Sequence, residues 1–142
     1  ILDIGGGPGR YAIWLAEQGH EVVLFDLARE NVELAKRKSS DLDVRLASCI
    51  VGNALALDKY IGAGEFDYVL LMGPLYHLLH EEDRRVAVEK ALGALKPGGL
   101  LFASFISGYA PPRRRAVPCL RGTLPLCRAC PKVEKKRIIM MT

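Results

Sequence analysis

A chain of 142 residues, half of them hydrophobic, is long enough for one domain with a packed core. The net charge of +4 hides an asymmetry: residues 1–107 carry 11 Lys+Arg against 15 Asp+Glu, whereas residues 108–142 carry 9 against 1. No apolar run reaches the roughly 18 residues of a spanning helix and no leader pattern opens the chain, so a cytoplasmic protein without a membrane segment is expected.

The first ten residues, ILDIGGGPGR, organise the rest of the chain. Ile1, Leu2 and Ile4 form an apolar run carrying one acid, Asp3, and read as a buried strand. The run is already at its turn by Gly5, so an intact domain is expected to have something before it. The turn is Gly5-Gly6-Gly7-Pro8-Gly9, and Tyr11 to Ala16 then read as a helix that stops at Gly19. Glycines in such a turn let a ligand approach the backbone, and the N–H groups at the helix start point at it.

His20-Glu21 leads into a second strand, Val22–Phe25, which ends in Asp26. Strand, glycine turn, helix, strand, acid is the order of a mononucleotide-binding half. The two oxygens of the Asp26 carboxylate suit a ribose diol, and they equally suit the N-cap of the helix that begins at Leu27. Ser39-Ser40-Asp41 reads as a turn and Val44–Val51 as a third strand, followed by Gly52-Asn53-Ala54. Cys49, in that apolar stretch, reads as a small core residue.

A break at Gly62-Ala63-Gly64 precedes a fourth strand, Tyr68–Met72. The loop Gly73–Leu79 lies at its C-terminal end, on the same side as the Gly5–Gly9 turn. Tyr76 and His77 in this loop are the candidates for a base or an acceptor-orienting group, although both also suit ordinary packing at a helix start and a rim. Glu81–Leu95 reads as a helix with Val88, Leu92 and Leu95 inward. Lys96-Pro97-Gly98-Gly99 stops it, and Leu100–Ile106 is a fifth strand.

Through the glycine turn, Asp26 and the LKPGG entry to the fifth strand, residues Ile1 to Ser107 resemble the class I S-adenosylmethionine-dependent methyltransferases. The resemblance implies an α/β fold, a Rossmann-like parallel sheet of about five strands with helices on both faces, lacking the family's last two strands. It implies S-adenosyl-L-methionine as cofactor and methyl transfer to an acceptor. Asp3, Gly5, Gly7, Gly9 and Tyr11 would surround the amino-acid end of the cofactor, and Asp26 would take the ribose. Leu27 would pack on adenine, with Asn53 and Ala54 at its edge and Met72 at the end of the fourth strand. Asn53 stands where the family usually has Asp, and reads equally as a turn residue. The N-P-P-Y-type loop of nucleic-acid amino-methylases is replaced by Met72-Gly73-Pro74-Leu75, which favours a small-molecule acceptor over nucleic acid.

Two other classes stay open. A nicotinamide-dependent oxidoreductase would place the third glycine of G-x-G-x-x-G at residue 10, which is Arg10. A non-catalytic fragment is the other.

Beyond Ser107 the pattern changes. Five of the eight prolines and three of the four cysteines lie past Gly108, with no apolar period. Residues 108–142 are therefore expected to form a disordered or frame-disrupted tail to a core of residues 1–107. The Cys127-Arg128-Ala129-Cys130 spacing invites zinc, but only Cys119 lies nearby and every histidine is upstream, so no metal is expected. A nucleic-acid arm is not expected either, because Tyr109 is the one aromatic among the basic residues.

Overall fold

The structure is a computed structural model and describes residues 1–105 and 137–141. Strands β1 (Leu2–Ile4), β2 (Val23–Asp26), β3 (Ser48–Val51), β4 (Phe66–Leu71), β5 (Leu95–Ser104) and β6 (Arg137–Met141) form one sheet in the order β3-β2-β1-β4-β5-β6. Every pairing is parallel. Helices α1 (Arg10–Glu17), α2 (Arg29–Asp41), α3 (Pro74–His77) and α4 (Glu81–Ala94), with a 3-10 segment at Ala54–Lys59, connect the strands.

Strand periodicity explains the two layers. Leu2 and Ile4 face one way with Phe25, Val69, Leu71, Leu101 and Ala103. There they meet Ala87, Ala91 and Leu92 of α4 and Leu57 of the 3-10 segment. Val22 and Leu24 face the other way, against Ala12 of α1 and Val32 and Ala35 of α2. Successive side chains of a strand alternate in this manner, so the sheet serves both cores. The expected α/β architecture with helices on both faces is the one found.

The boundaries differ from expectation in several places. β3 begins at Ser48 rather than Val44, because β2, which it pairs, begins only at Val23. Before Ser48 the Ala47 N–H still donates to Val22 O at 2.9 Å, but the ladder itself starts at the Val23–Ser48 pair. Ser39, Ser40 and Asp41 are the last residues of α2 rather than a turn; Ser39 is buried and its hydroxyl donates to Lys36 O at 3.0 Å. α4 stops at Ala94, and Leu95 already pairs with Phe66, so Lys96–Gly99 is a bulge within β5 rather than a separate stop. Leu95 is buried as expected, but as a strand residue.

The largest difference is β6. Composition places the segment 108–142 outside the fold, with the sheet ending at the fifth strand. Instead Arg137–Met141 pairs along Leu100–Ser104. A strand edge presents unmet N–H and C=O groups, and a second strand satisfies them whatever its position in the sequence. The expectations for Tyr109, Cys119, Cys127 and Cys130 lie outside the described residues. Among the described residues, no helix is long and apolar enough to cross a membrane.

Candidate functional site

A cavity of about 350 Å³ opens at the C-terminal ends of β1, β2 and β4. This is where parallel sheets bind ligands, and the volume lies in the ordinary range for small-molecule sites. Gly5 and Gly7 form one side, Phe25, Asp26 and Leu27 a second, Asn53 and Ala54 a third, and Gly73, Pro74, His77 and Leu78 the last.

Two glycines allow the walls to meet. Gly5 has φ +72°, and a Cβ there would lie 2.5 Å from Pro74 Cδ. The turn after β1 can therefore nest against the loop after β4 only with glycine at this position. Gly52 does the same for the floor, since a Cβ there would lie 2.5 Å from the Phe25 ring.

Asp26 ties the walls together. Its Oδ2 accepts from Gly7 N–H at 2.8 Å, and its Oδ1 accepts from Ala28 N–H at 2.9 Å and Asn31 Nδ2 at 3.2 Å. The carboxylate thus holds the glycine turn to the start of α2 while lining the cavity. Ala28, not Asp26, is the N-cap residue of α2. The glycine N–H groups are not left free, as the turn alone suggested. Gly5 and Gly6 donate to Phe25 O, Gly7 to Asp26 and Gly9 to Gly6 O. What the turn offers a ligand at Gly5 and Gly7 is closeness rather than unmet donors.

Asp3 lies behind the turn, 1% exposed, and neither of its oxygens has a hydrogen-bond partner. A Cβ on Gly6 would sit 2.7 Å from Asp3 Oδ2, so the turn rests directly on this carboxyl. Burial pushes its pKa up to about 7; the nearby Ala12 amide, outside hydrogen-bond geometry, draws it down, and the negative charge of Asp26 adds to the rise.

The remaining expected residues divide. Leu27, 68% exposed, offers an apolar face at the cavity. Asn53 Oδ1 caps the 3-10 segment by accepting from Leu55 N–H at 2.9 Å, so its turn role is realised, with one lone pair left over. His77 lines the cavity. Gly9, Tyr11, Met72 and Tyr76 do not. Gly9 instead lets α1 approach α2, its hydrogen atoms facing Ala35 Cβ. Tyr11 is half-exposed under the Arg10 guanidinium. Tyr76 OH lies 2.9 Å from Ser104 Oγ, and Ser104 Oγ donates to Met72 O at 2.6 Å.

Sequence reasoning missed Asn31, Pro74 and Ser104. Ser104 carried a visible signal, as the polar residue near the end of an otherwise apolar strand. Asn31 carried none, because its bond to Asp26 depends on how α2 leaves β2.

Residues 1–99 match the family described as "Methyltransferase domain". The chain is 33% identical over 111 residues to a ubiquinone biosynthesis O-methyltransferase of Xanthomonas axonopodis pv. citri, covering 75% of this chain and 43% of that protein. It is 28% identical over 116 residues to the tRNA 5-carboxymethoxyuridine methyltransferase of Escherichia coli K12, covering 77% of this chain and 41% of that one. A solved SAM-dependent methyltransferase from Methanosarcina mazei superposes with a TM-score of 0.65 at 25% identity, over 70% of this chain and 49% of its own. The chain spans about two-fifths of the length of the curated relatives it matches. Glycine turn, acid-ended second strand and matched sequence agree: the chain belongs to the methyltransferase domain family.

Proposed function

We propose that the cavity binds S-adenosylmethionine and that the protein transfers its methyl group to a small-molecule acceptor. The observation that carries this reading is Asp26, a buried carboxylate lining a cavity that Gly5 and Gly7 keep open. The residues present fit the cofactor. One lone pair on Asp26 Oδ2 remains for a ribose hydroxyl beyond the bond from Gly7. Leu27 gives an apolar face for a purine, and Asn53 keeps an accepting lone pair at its edge. The Asp26 carboxylate in the lining favours a ligand with cationic groups.

When bound, S-adenosylmethionine supplies a methyl group already activated on a sulfonium sulfur. The protein's task is then alignment and exclusion of water. Leu78 and Pro74 dry one side of the cavity, and His77 is the polar group beside it.

A small acceptor is supported by the charge of residues 1–107, where 15 acidic residues outnumber 11 basic ones. Phosphate backbones bind through excess Lys and Arg. The ubiquinone-biosynthesis relative points the same way. A nicotinamide cofactor is not favoured, because Arg10 occupies the place of the third glycine. Calorimetry with S-adenosylhomocysteine and with NAD decides the cofactor. Binding of the first and not the second is expected, and the reverse would overturn the reading. Turnover with total tRNA but with no small acceptor of a broad panel would overturn the acceptor class.

A further inference from the structure

α3 is four residues long and contributes Pro74 and His77 to the cavity wall. So short a helix has almost no stability of its own, because a single turn fixes several dihedral angles for one or two hydrogen bonds. Something outside it must hold the wall in place.

At its far end, Arg84 of α4 donates from Nη1 to Leu78 O at 2.7 Å and Leu79 O at 2.9 Å. At its near end stands Ser104, in the last position of β5. Ser104 has one hydroxyl proton, and it points to Met72 O at 2.6 Å. The proton between Ser104 and Tyr76, 2.9 Å apart, must then come from the phenol. The direction of the chain is fixed: Tyr76 donates to Ser104, and Ser104 donates to the Met72 carbonyl, the first beyond β4.

We propose that Ser104 is a positioning residue, which clamps the Pro74–His77 wall of the cavity to the end of β5 through Tyr76 and Met72. Its effect on the ligand rests on the cofactor reading given above. Ser104 does not line the cavity, and so acts only through the wall. Tyr76, with its proton committed to Ser104, serves as a strut, and His77 beside it is the wall's polar face.

Amide hydrogen exchange over residues 74–79 and calorimetric titration with S-adenosylhomocysteine test this on the full chain. Ser104→Ala removes both bonds. Exchange is expected to rise and affinity to fall roughly tenfold, the ratio that corresponds to about 1.4 kcal/mol. Tyr76→Phe removes one bond and should have a smaller effect of the same kind. The double variant should be no worse than Ser104→Ala alone, because the two residues act as one chain. Ser104→Thr keeps the hydroxyl and should restore most of the affinity. A lower melting temperature without these changes would mean a merely structural serine and overturn the proposal. So would additive effects in the double variant. Should Ser104→Ala fail to fold, Tyr76→Phe still decides through exchange. If the parent protein does not bind S-adenosylhomocysteine, the cofactor reading fails, while the exchange data still judge the clamp.

Discussion

A carboxyl held near pKa 7 inside the fold keeps a proton that the unfolded chain releases near pH 4. Between those values the native state binds more protons than the unfolded state, so the Asp3 contribution makes stability fall as pH rises from about 4 to about 7. Above that window the loss is complete and level. Three pH units at 1.36 kcal/mol each set an upper scale of roughly 4 kcal/mol. Asp3→Asn should remove this slope and leave the variant the more stable protein at pH 8. Denaturant unfolding of both proteins between pH 4.5 and 8 measures it, and parallel profiles would refute a buried titrating Asp3. Asp26 makes a different prediction. Ribose ligand and helix cap are both legible for it in the sequence. Its bond to Gly7 is not, because the two residues meet only when β1 pairs with β2. Three internal bonds end on this one carboxylate. Asp26→Ala should therefore lose about 1–3 kcal/mol of stability as well as cofactor affinity, since hydrogen bonds to a charged group are among the stronger ones. Full stability in that variant would show that the glycine turn does not depend on Asp26.

Among the elements, the turn after β1 is the most constrained. Gly5 and Gly7 both have positive φ, at +72° and +54°. A side chain in that conformation costs roughly 1–2 kcal/mol. The surroundings separate them: a Cβ on Gly7 meets nothing within 4 Å, whereas one on Gly5 strikes the Pro74 ring. Gly7→Ala should cost only the conformational amount. Gly5→Ala should cost about 1–3 kcal/mol more, the range for overpacking, and should also weaken ligand binding by parting the two loops. Thermal unfolding of the two variants gives the comparison, and equal losses would sink the steric account. β1, β2, β4, α1 and α4 are legible because a period of two or of 3.6 persists long enough to be read, and because Gly19 and the acid-rich start of α4 mark boundaries. β3 reads too long, since the chain cannot reveal where a partner begins. The bulge at Lys96–Gly99 looks like punctuation because glycine and proline mark turns and bulges alike. The 3-10 segment and α3 have too few turns to show any period.

At the scale of the whole molecule, the sheet order shows what local pattern cannot supply. β6 joins an edge set by residues more than thirty positions earlier, and nothing within Arg137–Met141 names that partner. Its presence carries a prediction. Ending the chain before Arg137 should uncover the β5 edge and turn a dispersed protein into one that associates. Sizing with light scattering checks this, and a truncated chain that stays monomeric would show that β5 needs no cover. The same order, β3-β2-β1-β4-β5-β6, sets β1 between two neighbours of very different age during synthesis. Val23 follows Leu2 closely, whereas Val69, its partner on the other side, comes far later. The glycine turn and Asp26 leave the ribosome well before Gly73 and Pro74. At about 5–20 residues per second the interval is roughly 2–10 s. During that time a nascent chain gains the sides built by residues 5–54 but still lacks the one built by Gly73–Leu78. A ligand that needs this last side cannot template the early strands. It can only trap the later docking of β4 and its loop, so a bound ligand would act on the closing of the cavity and not on the first strand pairing.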